Sequence, residues 1–299
     1  MDDAFAPDPQ PPPRYPARMG DGTIDIASDL APAGVLRAAI NLGNPVLAQG
    51  TSAAPTGVTI DIGREIAARL GVGVAFVCSD AARDSLAALL AGRADICFLG
   101  IEPARADEVA FTPPYVLIEG VYAVPDRSPL ATVADVDSPG VRIGVKRGSA
   151  YDLFLTRTLR HAAVVRGAEG TEVFRTENLE AAAGVREPVT EFVASHPGIR
   201  LIEGRFMEIR QAVGTTKARR PETIRFLHGL VEDLKASGFI ADSLRRSGQT
   251  APVAPPASLA TLRRWLAPRA GMVVPSLTAR SAGSSREISR RPGSWRPST

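Results

Sequence analysis

Residues 86–115, with the sequence LAALLAGRADICFLGIEPARADEVAFTPPY, decide the fold of this chain. The stretch begins inside an amphipathic segment, Asp84–Leu90, which is followed closely by Gly92 and predicts a helix with a glycine cap. Ala94–Gly100 is an apolar run of strand length, which predicts a buried strand. A helix that leads within a few residues into a buried strand is typical of an α/β sheet.

The chain before this stretch shows the same alternation. The apolar run Val35–Leu42 ends in the turn cluster Gly43-Asn44-Pro45 and predicts a first strand. Apolar residues at four-residue steps predict a helix over 57–70, and residues 72–78 predict a second strand. This β-α-β-α-β order favours a parallel sheet, and the strand order 2-1-3 of common doubly wound halves is assumed for it. Ligands of such sheets bind beyond the carboxyl ends of the strands, here the turn cluster and the loop 100–105.

The chain has two cysteines, Cys78 and Cys97. This number excludes a disulfide framework and a four-cysteine zinc site. In the assumed order the two cysteines lie on strands that are separated by another strand. Two strand spacings of ~4.8 Å exceed the reach of a disulfide, so we predict that both thiols are free.

A second block of similar pattern follows the proline-rich segment Pro125–Pro129. Its predicted elements are a strand at 141–145, a helix at 151–159, a strand at 162–165, an apolar run at 180–185, extended segments at 199–202 and 207–213, and a helix at 221–237. We therefore predict two α/β lobes, the first formed by residues 35–124 with 209–248 and the second by residues 125–208. The chain crosses between them at 121–126 and 206–211, which predicts a hinge of two segments.

The two ends differ in composition from the rest of the chain. Residues 1–34 hold six aspartates and a proline cluster, with neither a basic start nor an apolar core. We therefore expect a disordered segment there, without a secretory signal. Residues 249–299 are rich in proline, serine and arginine, and we predict a mostly disordered tail.

The formal net charge of +3 comes from this tail, because residues 251–299 carry eight arginines and one acid. An acidic body with 5% aromatic residues weighs against nucleic-acid binding, which needs basic and stacking surfaces. No apolar run approaches the ~20 residues that cross a bilayer, so direct membrane insertion is not expected. Neither a metal-ligand pattern nor a phosphate loop occurs, so no metal, cofactor or catalytic residue is predicted.

Three motifs in and around the first stretch carry a family resemblance. They are LAALLAGRADI (86–96), GIEPAR (100–105) and VAFTPPY (109–115), with VDSPGVRIGV (136–145) and RGS (147–149) downstream. The chain resembles the family 3 extracellular solute-binding proteins from about Leu36 to Gly248. The resemblance implies an α/β fold of the periplasmic binding protein type 2 kind, with two doubly wound α/β lobes joined by a two-segment hinge.

The resemblance also implies a ligand site between the lobes. In that family the arginine that matches Arg105 binds the ligand's α-carboxylate, and a guanidinium suits this role because it stays charged and binds bidentately. The glycine turn before the second-lobe helix adds backbone donors at Gly148 and Ser149. Asn44 and Gly100 lie at the predicted strand ends and complete this part of the site.

Several positions depart from the family pattern. Gly100 and Glu102 stand where hydroxyl side chains are common, and Ala150 stands where a threonine often follows the glycine turn. Val185 stands where the family has the aspartate that meets an α-ammonium, and Arg186 is next to it. Two interpretations remain open: either Glu102 supplies a substitute carboxylate, or the ligand lacks an ammonium and Arg186 helps to bind an organic acid.

The function implied by the resemblance is that of the substrate-binding component of an ABC-type uptake system. Its partners would be a small carboxylate-bearing solute, amino acid-like or an organic acid, and an ABC transporter permease, with the protein itself a monomer. A periplasmic location follows from the family, and a cytoplasmic one is the alternative because no signal peptide is visible. An enzyme of the cyclohexadienyl dehydratase type, with Glu102 as the acid, and a solute-sensing module without transport are the alternative functions.

Overall fold

A computed structural model describes residues 25–258 of the chain. Its helices are α1 (Ile26–Leu30), α2 (Val58–Leu70), α3 (Ala82–Leu90), α4 (Pro103–Ala106), α5 (Ala150–Thr158), α6 (Gly170–Thr176), α7 (Arg186–Ser195), α8 (Pro221–Ala236) and α9 (Phe239–Arg246). Its strands are β1 (Val35–Asn41), β2 (Gln49–Thr51), β3 (Ala54–Thr56), β4 (Gly73–Ser79), β5 (Ile96–Gly100), β6 (Val109–Pro125), β7 (Arg142–Lys146), β8 (Ala163–Gly167), β9 (Ala181–Val185), β10 (Ile199–Leu201) and β11 (Met207–Thr216).

One mixed sheet of nine strands, within these described residues, organises the molecule. Its order is β4-β1-β5-β11-β6-β9-β7-β8, with β10 paired to β6, while β2 and β3 form a separate hairpin. We call the part with β4, β1 and β5 lobe 1 and the part with β9, β7 and β8 lobe 2. The mixed α/β architecture confirms the predicted fold class, and the order β4-β1-β5 is the assumed order 2-1-3.

The helices and strands of lobe 1 follow the order that the sequence predicted. Helix α2 begins after Gly57 and ends at Gly71, which adopts a left-handed conformation with a φ of 69°. Strand β5 is buried along its whole length, because helices and neighbouring strands cover both of its faces. Cys78 on β4 and Cys97 on β5 are both free, as predicted.

Two long strands join the lobes. β11 pairs with β6 in antiparallel register from Met207 opposite Gly120 to Thr216 opposite Val109. β11 also pairs with β5 of lobe 1, and β6 pairs with β9 of lobe 2. The predicted hinge segments, 121–126 and 206–211, lie almost entirely within β6 and β11 and not in loops between the lobes.

Lobe 2 repeats the parallel arrangement on a smaller scale. β7 pairs in parallel with β8 and with β9, and the connecting helices are α5 and α6. The apolar run at 180–185, for which the sequence left the element type open, contains the strand β9, which lies between β6 and β7. Its alanines are buried because α6 and α7 pack against this strand.

The ordered chain begins earlier and continues further than the composition indicated. Helix α1 lies within the segment 1–34 that was predicted to be disordered, and its Leu30 is fully buried in lobe 1. Residues 249–258 extend along β6, where Leu117 N donates to Pro252 O at 3.0 Å and Ala254 N donates to Tyr115 O at 3.0 Å. The rest of the two predicted disordered segments, 1–24 and 259–299, lies outside the described residues.

A buried carboxylate anchors lobe 1. Asp95, which has no exposed surface, accepts hydrogen bonds from the backbone N–H of Arg37 at 2.9 Å and from the guanidinium of the same residue at 2.8 and 3.0 Å. Arg219, between β11 and α8, donates to the same carboxylate at 3.1 Å. One side chain therefore ties β1 to β5 and to the last part of the lobe.

We predict that Asp95→Asn lowers the free energy of unfolding by about 3 kcal/mol, because it leaves two guanidiniums without their anion. Urea denaturation followed by circular dichroism measures this change. Asp242→Asn is the matched control, since Asp242 pairs with Arg245 on the surface of α9. It should cost less than about 1 kcal/mol. Similar losses in the two variants would contradict the anchoring role of Asp95.

Candidate ligand-binding cleft

A cavity of about 390 Å³ lies between the two lobes. It opens at the carboxyl ends of β1, β5, β7 and β9, where a parallel α/β sheet binds its ligands. The polar and charged lining residues are Asn41, Asn44, Thr59, Arg105, Lys146, Arg147, Ser149, Tyr151, Glu169, Thr171 and Gln211. Apolar walls come from both lobes and include Phe98, Ile118, Val185, Pro188 and Val189. The size lies toward the lower end of small-molecule pockets, which span roughly 300–1,000 Å³.

Arg105, on the short helix α4, is the principal charged group of the cavity on the lobe 1 side. It is only 2% exposed, and its guanidinium donates to Gly100 O and to Gly148 O, each at 2.9 Å. Within residues 25–258 no carboxylate forms an ion pair with it. Burial lowers the pKa of Arg105, and the charge of Glu102 opposes that shift. A buried cation held only by carbonyl groups favours an anion from outside the protein.

The turn before α5 is built as the glycine motif predicted, but its groups have partners inside the protein. Gly148 has a φ of 71°, which favours glycine. Its N–H donates to the carboxylate of Asp152 at 2.8 Å, and the hydroxyl of Ser149 accepts from the N–H of Asp152 at 3.0 Å as the helix cap. Ser149 N donates to Lys146 O at 3.2 Å. Ser149 and Ala150 line the cavity, and Gly148 does not.

Asn44 and Gly100 also line the cavity, as the strand ends predicted. The Oδ1 atom of Asn44 is buried and has no hydrogen-bond partner within the described residues, so the side chain can accept from a ligand. Gly100 has no room for a side chain, because a Cβ there would lie 2.8 Å from Ile209 and 3.1 Å from Ala150. The absence of a hydroxyl at this position therefore follows from the close packing of the lobes.

Glu102 and Arg186 do not line the cavity. Glu102 is 3% exposed, and Arg157 of α5 donates to its carboxylate at 2.8 Å. Arg186 at the start of α7 donates to Glu119 at 2.5 Å and to Gly204 O at 2.7 Å. Each group is engaged by a protein partner that is distant in sequence, which the sequence could not indicate.

Lys146 and Glu169 are cleft residues that the sequence interpretation did not include. Lys146 is the last residue of β7 and is 9% exposed, and its Nζ atom donates to Glu169 at 2.5 Å and to Gly43 O at 3.5 Å. The Glu169 side chain, just before α6, is 55% exposed. The available signal was the position of a lysine at the carboxyl end of a predicted buried strand.

The lobes contact each other around the cavity. Among the described residues, at least four side chains donate from one lobe to the other beside the cavity: Arg105 to Gly148 O, Arg157 to Glu102, Arg83 to Arg147 O at 3.2 Å, and Lys146 to Gly43 O at 3.5 Å. Each is a hydrogen bond from a cationic side chain to an oxygen of the opposite lobe. The structure is therefore a closed arrangement, in which the lobes contact each other beside the cavity.

The fold and the cleft define a class, that of two-lobed binding proteins of the type 2 periplasmic kind. The chain belongs to the bacterial extracellular solute-binding proteins, family 3, whose family model matches residues 36–248. This confirms the resemblance seen in the sequence. Members of this family are typically extracellular or periplasmic and bind the solutes of ABC transporters. Within residues 25–258, no helix is long and apolar enough to cross a membrane.

Solved structures that share this fold include three with low sequence identity to the chain. The arginine-bound form of truncated ArgBP from T. maritima is 21% identical, with a TM-score of 0.58 over 71% of this chain and 100% of that chain. An amino acid ABC transporter substrate-binding protein from Streptococcus pneumoniae Canada MDR_19A, bound to L-arginine, is 16% identical, with a TM-score of 0.62 over 77% and 99%. The ancestral amino acid-binding protein AncCDT-1, a precursor of cyclohexadienyl dehydratase, is 21% identical, with a TM-score of 0.60 over 73% and 96%. No curated protein sequence matches the chain.

We predict that Arg157→Ala destabilises the closed arrangement, because the substitution leaves the buried carboxylate of Glu102 without its cationic partner. The free energy of unfolding should fall by about 1–3 kcal/mol, which a melting curve detects as a lower Tm. Small-angle scattering should show a larger radius of gyration. Arg245→Ala removes an exposed pair within α9 and is the control. If both variants keep the wild-type Tm and radius, this ion pair does not hold the lobes together.

Proposed function

We propose that the protein is the substrate-binding component of an ABC-type uptake system and binds a small carboxylate-bearing solute between its lobes. The observation that carries the proposal is Arg105, a buried guanidinium at the cavity with carbonyl partners and no ion-paired acid among the described residues. Desolvating an unpaired cation is costly, and a ligand carboxylate removes that cost. The expected transport partner is an ABC permease.

The guanidinium has the donors that this role requires. An arginine carries five N–H donors in a planar fork, and the two carbonyl groups use two of them. The remaining donors can bind a carboxylate bidentately, which fixes the orientation of the solute as well as its charge. The two carbonyl groups, one from each lobe, hold the fork in place and link ligand binding to closure.

Closure is proposed to occur by bending of the two strands that join the lobes. In this proposal lobe 1 comprises residues 35–124 and 209–248, lobe 2 comprises residues 125–208, and the hinge segments are 121–126 and 206–211. The register of β6 with β11 shifts between Gln211 and Gly214, and such irregularities allow a sheet to bend. A monomeric state and a periplasmic location stay predictions.

We predict that Arg105→Ala abolishes the thermal stabilisation that a carboxylate ligand gives to the wild-type protein. The measurement is a thermal-shift screen of amino acids, organic acids and opines on the full chain. Arg105→Lys keeps the charge but loses the fork, so its stabilisation should be reduced rather than lost. Arg210→Ala changes an arginine that is exposed and pairs with Glu208, and it should behave as wild type. An unchanged ligand response in Arg105→Ala would refute the proposed role.

The dehydratase alternative has less support. It requires an acid in the cleft, and the carboxylate considered for it, Glu102, is buried in an ion pair with Arg157 instead of lining the cavity. A solute sensor would bind its ligand in the same cleft, and only its partner protein would differ.

We therefore predict that the protein does not convert prephenate or arogenate into an aromatic product. Incubation of the purified chain with each compound, followed by absorbance and chromatography, tests this. An active cyclohexadienyl dehydratase assayed in parallel shows that the conditions support the reaction. Aromatic product that depends on Glu102, as shown by its loss in Glu102→Gln, would make the enzyme alternative the better one.

A further inference from the structure

Basic side chains outnumber acidic ones in the cleft, and this excess of positive charge indicates what kind of solute the cleft binds. Of the described residues that line the cavity, three are basic, namely Arg105, Lys146 and Arg147, and one is acidic, Glu169. The charged residues also differ in their exposure to solvent. Arg105 and Lys146 are 2% and 9% exposed, whereas Arg147 and Glu169 are exposed residues at the rim. The two buried charged residues of the lining are therefore both cations, and the one acid lies at the rim.

The single acid of the cavity already has a partner. Glu169 accepts a hydrogen bond from Lys146 at 2.5 Å. The wall formed by the end of β9 and the start of α7 presents Val185, Pro188 and Val189, which offer no carboxylate. A solute ammonium in the inner cavity would thus be desolvated next to two cations, and it would compete with Lys146 for the one carboxylate of the described lining.

Lys146 can bind a second anionic group. Its ammonium has three N–H donors, and Glu169 and Gly43 O accept two of them. Lys146 also precedes Gly148 by two residues, and Gly148 O accepts from Arg105 at 2.9 Å. Lys146 and Gly148 belong to one turn, in which Ser149 N donates to Lys146 O at 3.2 Å, so the two cations reach the same cavity from opposite lobes. A cavity of about 390 Å³ suits a short molecule with an acid at each end.

We infer that the solute is a short dicarboxylate without an ammonium group, with one carboxylate bound by Arg105 and the other by Lys146. This inference rests on the proposed function and names its substrate class. The four charged residues of the described lining carry a net charge of +2, which the two carboxylates balance. The apolar walls contact the methylene groups between the two ends.

Two sets of matched compounds test the inference by titration calorimetry on the full chain. Succinate is compared with L-aspartate, which adds an ammonium, and with butyrate, which lacks one carboxylate. Glutarate is compared with L-glutamate and valerate in the same way. We expect at least one dicarboxylate to bind more tightly than both of its counterparts, by about tenfold or more. Tighter binding of the amino acids, or binding by none of the compounds, overturns the inference.

Two variants locate the effect in the cleft. Lys146→Met keeps the side-chain length without the charge, and it should weaken dicarboxylate binding by about tenfold or more while leaving monocarboxylate binding nearly unchanged. Glu169→Gln should strengthen dicarboxylate binding, because it removes the anion that competes for Lys146. A solute with an ammonium would instead bind more weakly to Glu169→Gln, so the sign of this change separates the two classes. Lys217→Met, which removes an exposed lysine outside the cavity, is the matched control.

The outcomes distinguish this inference from the proposed function. Circular dichroism first shows that each variant is folded, and the wild-type compound series decides the substrate class even if Lys146→Met does not fold. If amino acids bind and their binding requires Arg105, the proposed function stands and the dicarboxylate inference falls. If no solute binds in an Arg105-dependent way, the proposed function falls as well.

Discussion

The antiparallel pairing of β6 with β11 is the constraint on which the rest of the structure depends. These strands pass through both lobes, and each also pairs with a strand of one lobe. Their ladder fixes where the carboxyl ends of β5 and β9 lie relative to each other. The cavity exists because that ladder holds the two sets of parallel strands so that their carboxyl ends face one another.

Polar groups that come from both lobes then determine the chemistry of the cavity. Arg105 belongs to lobe 1 and Lys146 to lobe 2, and each donates a hydrogen bond to a carbonyl of the opposite lobe. The proposed binding groups are thus the same groups that hold the lobes together. In the proposed function, the same side chains link the charge of the ligand to the closure of the lobes.

Much of the fold could be predicted from sequence because local patterns determine it. The periodicity of Val58–Leu70 and the glycine at 71 predicted helix α2, and the short apolar runs predicted the strands of lobe 1. The run at 180–185 was harder, because a short apolar segment with alanines fits a strand or a helix equally well. The ordered ends were missed because α1 and residues 249–258 are held by contacts with lobe 1 that are distant in sequence.

The residues of the candidate site differ in the same way in how far the sequence predicts their positions. Arg105, Asn44 and Gly100 follow strand ends, so the topology alone brought them to the cavity. Glu102 and Arg186 lie outside the cavity, where they form ion pairs with Arg157 and Glu119, respectively. The positions of these two partners depend on how the lobes and helices pack. Such pairing is a property of the closed tertiary structure, and no spacing in the sequence encodes it.

The position of β11 in the sheet also has a consequence for how the chain is made. It lies between β5 and β6, although it follows them by about a hundred residues of synthesis. While the chain grows, β5 has an open edge, and the gap closes only when Met207–Thr216 arrives after all of lobe 2. Exposed strand edges of this kind favour mispairing and aggregation. A nascent chain of this protein therefore passes through a long interval in which lobe 2 can be complete while lobe 1 is not.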